Sequence, residues 1–236
     1  MRRILLILML LVAITACNSN ELPKIQEEPT ETIIDIDWVD FVKINDQQYS
    51  AHHTVAIADD RYIGDEVGKV EFKVDKNVTD TNYQVKNGDA AFWEEGTLIY
   101  EVVAMPDMIA IKDKAEVNGY RLYQANEAED DWSFEAIDRS LITKIEVQEG
   151  YIYPKLIQTF SEKEEINTFL KVLDEGEENV DFTPNIDDGD PELYHLVFYT
   201  DSMIVTYYQL NHDGETWYWY PWEQEMLPDE IGDYIK

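Results

Sequence analysis

Carboxylates and aromatic rings are the side chains of this sequence whose types and spacing could do chemistry. Asp181, Asp187, Asp188, Asp190 and Glu192 fall in one short stretch, with Asn185 as a further oxygen donor. Hard cations such as calcium take about six to eight oxygens on a bending backbone, so this stretch is the candidate metal loop. Its spacing is not that of an EF-hand, because the glycine and the distal glutamate are out of place. The competing reading is a solvated acidic loop. Trp217-Tyr218-Trp219-Tyr220-Pro221-Trp222 is the second candidate. On a strand, Trp217 and Trp219 share one face while Tyr218 and Tyr220 share the other. One face must meet the core, and the other could offer rings to a sugar or a peptide; the competing reading buries both faces, against the helix and a loop. Trp217, Trp219 and Trp222 are the candidate ligand-binding residues.

Other chemistries find no footing. No G-x-S-x-G elbow and no H-E-x-x-H pair occur. Gly64-Asp65-Glu66-Val67-Gly68-Lys69 looks like a phosphate loop but is one residue short and lacks the Ser or Thr after Lys. It is read as a turn into a following strand. The histidines are His52, His53, His195 and His212. The adjacent pair would point to opposite faces of a strand and could not easily share one metal. Fifty Asp and Glu make any pairing of carboxylates for glycoside cleavage uninformative.

Cys17 is the only cysteine, so no internal disulfide can form and the fold rests on its own core. It closes a run with Arg2 and Arg3 as a basic start, Ile4 to Val12 as an apolar stretch, and Ile14-Thr15-Ala16 before the thiol. The apolar stretch is well short of the roughly 20 residues of a membrane span and reads as a signal peptide. Residues 1–16 are therefore expected to be removed and Cys17 to carry lipid, palmitate among it. Polar residues 17–32, with Pro23 and Pro29, form a tether spanning on the order of 20 Å. The expected location is the extracytoplasmic face of a cell membrane.

The formal net charge is −32. This argues against nucleic acid, whose phosphates need Lys and Arg, and against anionic lipid headgroups. From Val172 to Ile235 there is no Lys or Arg, against seventeen Asp and Glu.

The elements that must position these groups follow from periodicity. Residues 33–126 read as a β-rich module, a small barrel or sandwich. Trp38 to Ile44, Val70 to Val74, Leu98 to Val103, Met108 to Ile111 and Tyr120 to Gln124 are strand-like. Asn45-Asp46, Asn87-Gly88 and Asn118-Gly119 mark turns. Glu127 to Asp131 is an acidic break, placing a boundary before a second module at 132–236. There Ile142 to Gln148 is a strand. Ser161 and Glu164 form a capping box ahead of a helix with Ile166, Phe169, Leu170 and Leu173 on one face. Leu193 to Thr200 and Met203 to Leu210 form a hairpin through Asp201-Ser202, Thr216 to Tyr220 adds a strand, and Pro228 opens a final short helix. The fold class expected is α+β, predominantly β, with an antiparallel sheet under one main helix.

Residues Ile14 to Cys17 resemble a bacterial lipobox. Val67 to Val74, Gly88 to Phe92, Gly96 to Tyr100 and Asn118 to Tyr123 resemble segments of uncharacterised lipoproteins of Gram-positive bacteria. The resemblance covers mainly residues 36 to 124 and implies an envelope location with no assigned activity. Asn18 after Cys17 leaves Gram-positive and Gram-negative hosts both open. Together these features point to a lipid-anchored binding or envelope-interaction protein, non-enzymatic, requiring no cofactor, with an envelope protein or glycan as partner. The alternatives are a calcium-binding surface module and an enzyme acting on envelope glycans.

Overall fold

Two-residue Asn/Asp turns and alternating β-branched residues favour hairpins, and the computed structural model is built from them. It describes residues 36–128, 132–187, 189–221 and 223–235. Cys17, Asp188 and Trp222 lie outside these. The first strands are β1 (Phe41–Ile44), β2 (Gln47–Ala51), β3 (Val55–Ile57), β4 (Ile63–Lys69), β5 (Phe72–Lys73), β6 (Asp89–Ala90), β7 (Leu98–Val102), β8 (Met105–Lys112) and β9 (Tyr120–Ala125). Then come β10 (Lys144–Glu149), β11 (Lys155–Phe160), helix α1 (Lys163–Leu173), β12 (Glu177–Glu178), β13 (Glu192–Tyr199), β14 (Ile204–His212), β15 (Trp217–Trp219), β16 (Glu225–Leu227) and the short helix α2 (Gly232–Ile235). The class is α+β and dominated by strand.

Two sheets result. The first runs β4-β7-β8-β9-β2-β1-β6-β5, antiparallel except for the parallel pair β5–β6. The second runs β11-β10-β13-β14-β15-β16-β12 and is antiparallel throughout. Strand β3, from the first half of the chain, pairs with β14 in the second sheet, Ile57 opposite Ile204. All three of its residues are buried.

The β1–β2 turn is Asn45-Asp46, with φ of 52° and 65°, the left-handed pair a two-residue hairpin demands. Asp46 and Asn87 then clamp this turn to the next: the Asp46 N–H donates to Asn87 Oδ1 at 2.7 Å, and Asn87 Nδ2 donates to Asp46 Oδ1 at 2.7 Å. Asn118 also takes the left-handed conformation, and its Nδ2 donates to the Ile57 carbonyl at 2.8 Å and to the Tyr199 hydroxyl at 3.0 Å. That side chain joins the β8–β9 turn to β3 and β13.

Two expectations about the first module's strands need correction. Gly64 to Lys69 is not a turn but most of β4, an irregular strand with register shifts at Ile63/Glu66 and Glu66/Gly68. Its glycines serve close approach: a Cβ on Gly64 would lie 2.6 Å from Glu101 Cγ, and one on Gly68 2.5 Å from Ile44 Cδ1. Strand Val70 to Val74 is broken, because the chain changes partners there. Val70 bonds Thr97 and Gly96, whereas Glu71 and Phe72 bond Gly88. Val70 and Val74 are buried, but Phe72 is left 37% exposed.

Helix α1 lies over one face of the second sheet. Ile166, Phe169, Leu170 and Leu173 are all buried, and Phe169 stacks on Phe160 at 4.8 Å between centroids. The capping box is not made: Glu162 occupies the cap position, and its side chain makes no cap hydrogen bond. Tyr194, Leu196 and Phe198 of β13 meet the helix side, along with Trp217 and Trp219. Val197 on the opposite face packs with Ala56, Val117, Val205 and Tyr207.

Candidate functional site

A cleft of about 670 Å³ opens where the end of α1, strands β15 and β16, and the segment after the acidic break converge. Trp219 and Phe134 form its floor, their rings edge to face at 4.9 Å and 80°. Both are buried because they also close the helix-side core. Glu225 stands on β16 beside them, and its Oε2 accepts the indole N–H of Trp219 at 2.9 Å. Gly176 makes room for this carboxylate, since a Cβ there would lie 2.7 Å from Glu225 Oε2. Arg139 lies over the Phe134 ring at 4.9 Å and pairs with Asp174 just past the end of α1. Glu135 completes the charged lining. Three carboxylates and one guanidinium around an aromatic floor suit a small polar molecule presenting N–H or O–H donors and a positive charge. These residues come from four separated segments, and no spacing in the sequence brings Arg139, Asp174, Gly176 and Glu225 together.

The residues singled out from sequence are distributed differently. Trp217 and Trp219 point into the helix-side core, at 8% and 1% exposure, and only Trp219 lines the cleft. Tyr218 and Tyr220 take the opposite face, where Phe182 packs on Tyr218 at 5.2 Å. In the acidic loop, Asp181, Asp187, Asp190 and Glu192 are exposed. Asn185 Oδ1 accepts the Asp187 N–H, and the Asn185 N–H donates to Asp213 Oδ2 at 2.8 Å, which pins the loop to the β14–β15 turn. Although burial acts the other way, backbone N–H groups of Asn185, Thr216 and Glu215 hold the Asp213 carboxyl below its usual range. Glu192 Oε2 accepts the Tyr194 hydroxyl at 3.0 Å and lies 3.7 Å from His212 Nδ1. Among the described residues no three His, Cys, Asp or Glu side chains are grouped to hold a metal.

A half-buried polar layer that sequence reasoning missed runs between the two sheets. Arg121 on β9 donates to Asp40 Oδ2 at 3.0 Å and to Glu116, with Asp113 at 3.9 Å. Tyr123 donates to Asp40 Oδ1 at 3.0 Å, and Tyr207, from β14 of the other sheet, donates to Glu116 Oε2 at 3.1 Å. Burial alone would lower the Arg121 pKa, but Glu116 and Asp40 outweigh it and the net shift is upward. Burial, then the adjacent carboxylates, push the Tyr123 and Tyr207 hydroxyls up. Neither tyrosine ionises at neutral pH, so both serve as donors.

His195 sits on the same face as Tyr207, at 7% exposure, with its ring 5.7 Å from the Tyr207 ring. Burial lowers its pKa, against smaller upward pulls from the Gly150 backbone and Glu116. A base with a depressed folded-state pKa binds fewer protons folded than unfolded. Stability is therefore lost as pH falls from the ordinary value of about 6.5 toward the folded pKa, by up to about 1.4 kcal/mol per pH unit. His195→Phe is expected to flatten the pH dependence of urea unfolding between about pH 7.5 and 5. Parallel curves for the two proteins would remove His195 from the acid response.

No family model, curated protein or solved structure matches the chain. Its class is set by its own features: a two-sheet, strand-dominated α+β protein with an acidic cleft beside its main helix.

Proposed function

We propose that the chain is a non-enzymatic binding protein held on the extracytoplasmic face of a cell membrane by lipid on Cys17. The observation that carries this reading is the run from Arg2 to Cys17, a basic start, a short apolar stretch and small residues before the only thiol. Residues 18–30 are polar and give the lipid a tether. The cleft at Trp219, Glu225 and Arg139 supports the binding half, because an aromatic floor with convergent polar groups is how small-ligand sites are generally built. No described helix is long and apolar enough to cross a membrane.

The test is expression in a bacterial host fed radiolabelled palmitate. The wild-type chain is expected to take up label and sediment with membranes. Cys17→Ala is expected to take up none. Equal labelling of both, or release of the wild-type chain in unlabelled form, would sink the anchor.

A further inference from the structure

The face of the Trp-Tyr strand opposite the helix carries tyrosines over which, among the described residues, no Lys or Arg stands. Tyr218 lies at its centre, ringed by Phe182 at 5.2 Å and Tyr220 at 5.9 Å, the latter 41% exposed. The β10–β11 connection reaches the same face. Tyr151 donates its hydroxyl to the Pro191 carbonyl at 3.4 Å, and with Tyr220 and Asp213 it raises the Tyr218 pKa beyond what burial does. Tyr151 and Tyr153 are nevertheless 59% and 65% exposed. Tyr218 itself is buried at 4%, so the exposed rings of this face are Tyr220 and Tyr151, with Tyr153 two residues further along the same connection.

Charge decides the partner. Elsewhere in the molecule Lys or Arg stands over the rings of Tyr62, Tyr83, Tyr120 and Tyr199 at 3.6–5.9 Å. Strand β15 and the loops beside it belong to the stretch from Val172 to Ile235, which holds no Lys or Arg and seventeen acids. Exposed Asp187 and Asp190 precede Pro191, whose carbonyl Tyr151 bonds, and exposed Glu192 follows it. Lys155, exposed at the start of β11, is the cation nearest in sequence to Tyr151, while the rings beside β15 adjoin carboxylates and attract cations twice, through the ring faces and through the negative charge. A neutral glycan would use the rings and gain little from the charge.

We propose that this face docks an extended, arginine- or lysine-rich segment of another polypeptide. It lies on the opposite side of the strand from the Trp219 cleft, so it stands or falls independently of that site.

The test titrates a fluorescent (Arg-Gly)6 peptide into the full chain in neutral detergent micelles, with (Glu-Gly)6 and dextran as comparisons. The variants are the triple change Tyr151→Ser, Tyr153→Ser and Tyr220→Ser, and the same three positions changed to Phe. Neither set alters the charge. Binding of (Arg-Gly)6 is expected to weaken about tenfold or more in the Ser variant and to survive in the Phe variant, because the ring is the receptor. Equal binding by all three proteins would reduce the effect to bulk charge and overturn the proposal. So would tyrosine-dependent binding of dextran with no binding of (Arg-Gly)6. Should the Ser variant misfold, nitration of the wild-type chain by tetranitromethane still decides: bound (Arg-Gly)6 is expected to protect Tyr151 and Tyr153, and undiminished nitration would refute docking here.

Discussion

Arg121→Met is expected to destabilise the folded chain by about 3 kcal/mol, near the lower end of what removing one partner of a buried charge pair costs. The guanidinium is the only cation in its cluster among the described residues, facing Asp40, Glu116 and Asp113. Its side chain is 25% exposed and the partners are 11–22% exposed, so water screens them only in part. Without Arg121, three carboxylates face one another with the Tyr123 and Tyr207 hydroxyls and the Ala115 N–H as donors. Lysine is not expected to rescue, because one ammonium cannot hold Asp40 and Glu116 in the geometry of a planar fork. Urea unfolding of the wild-type, Arg121→Met and Arg121→Lys chains at pH 7 reads the effect. A loss under about 1 kcal/mol at pH 7 would mean that the pair is solvated and contributes little.

Trp219→Ala is expected to cost about 4 kcal/mol, as other large-to-alanine changes in well-packed cores do. Trp219 is 1% exposed and touches Phe134 and Tyr208 edge to face. Its removal opens a cavity beneath α1 and deprives Glu225 of its indole donor. Trp219→Phe keeps most of the volume and should lose clearly less. Thermal or urea unfolding of the two variants checks this. A near-neutral alanine variant would mean that the ring is a surface group, free to serve a ligand alone.

The two predictions concern residues that sequence treats unequally. Trp219 is conspicuous in sequence, but alternation along a strand only sorts side chains into two faces and carries no sign. Where α1 lies decides that Trp217 and Trp219 meet the helix-side core while Tyr218 and Tyr220 take the other face, Tyr218 buried there beneath Phe182. Arg121 is inconspicuous, since Asp40, Glu116 and Tyr207 reach it from separate turns and from the other sheet.

What the sequence by itself determined was local. Left-handed φ at Asn45 and Asp46 made the β1–β2 turn, and the spacing of Ile166, Phe169, Leu170 and Leu173 made the buried stripe of α1. Short-range pattern through Asp201-Ser202 made the β13–β14 hairpin. Each is a matter of neighbours within a few residues, where backbone sterics and side-chain period act directly. The tertiary structure decided the partner switch that breaks the chain at Val70, the crossing of β3 to β14, the cleft at Glu225 and the polar layer around Arg121. These depend on which distant segments bury surface together, and the gain from that burial is set by packing that no local period encodes.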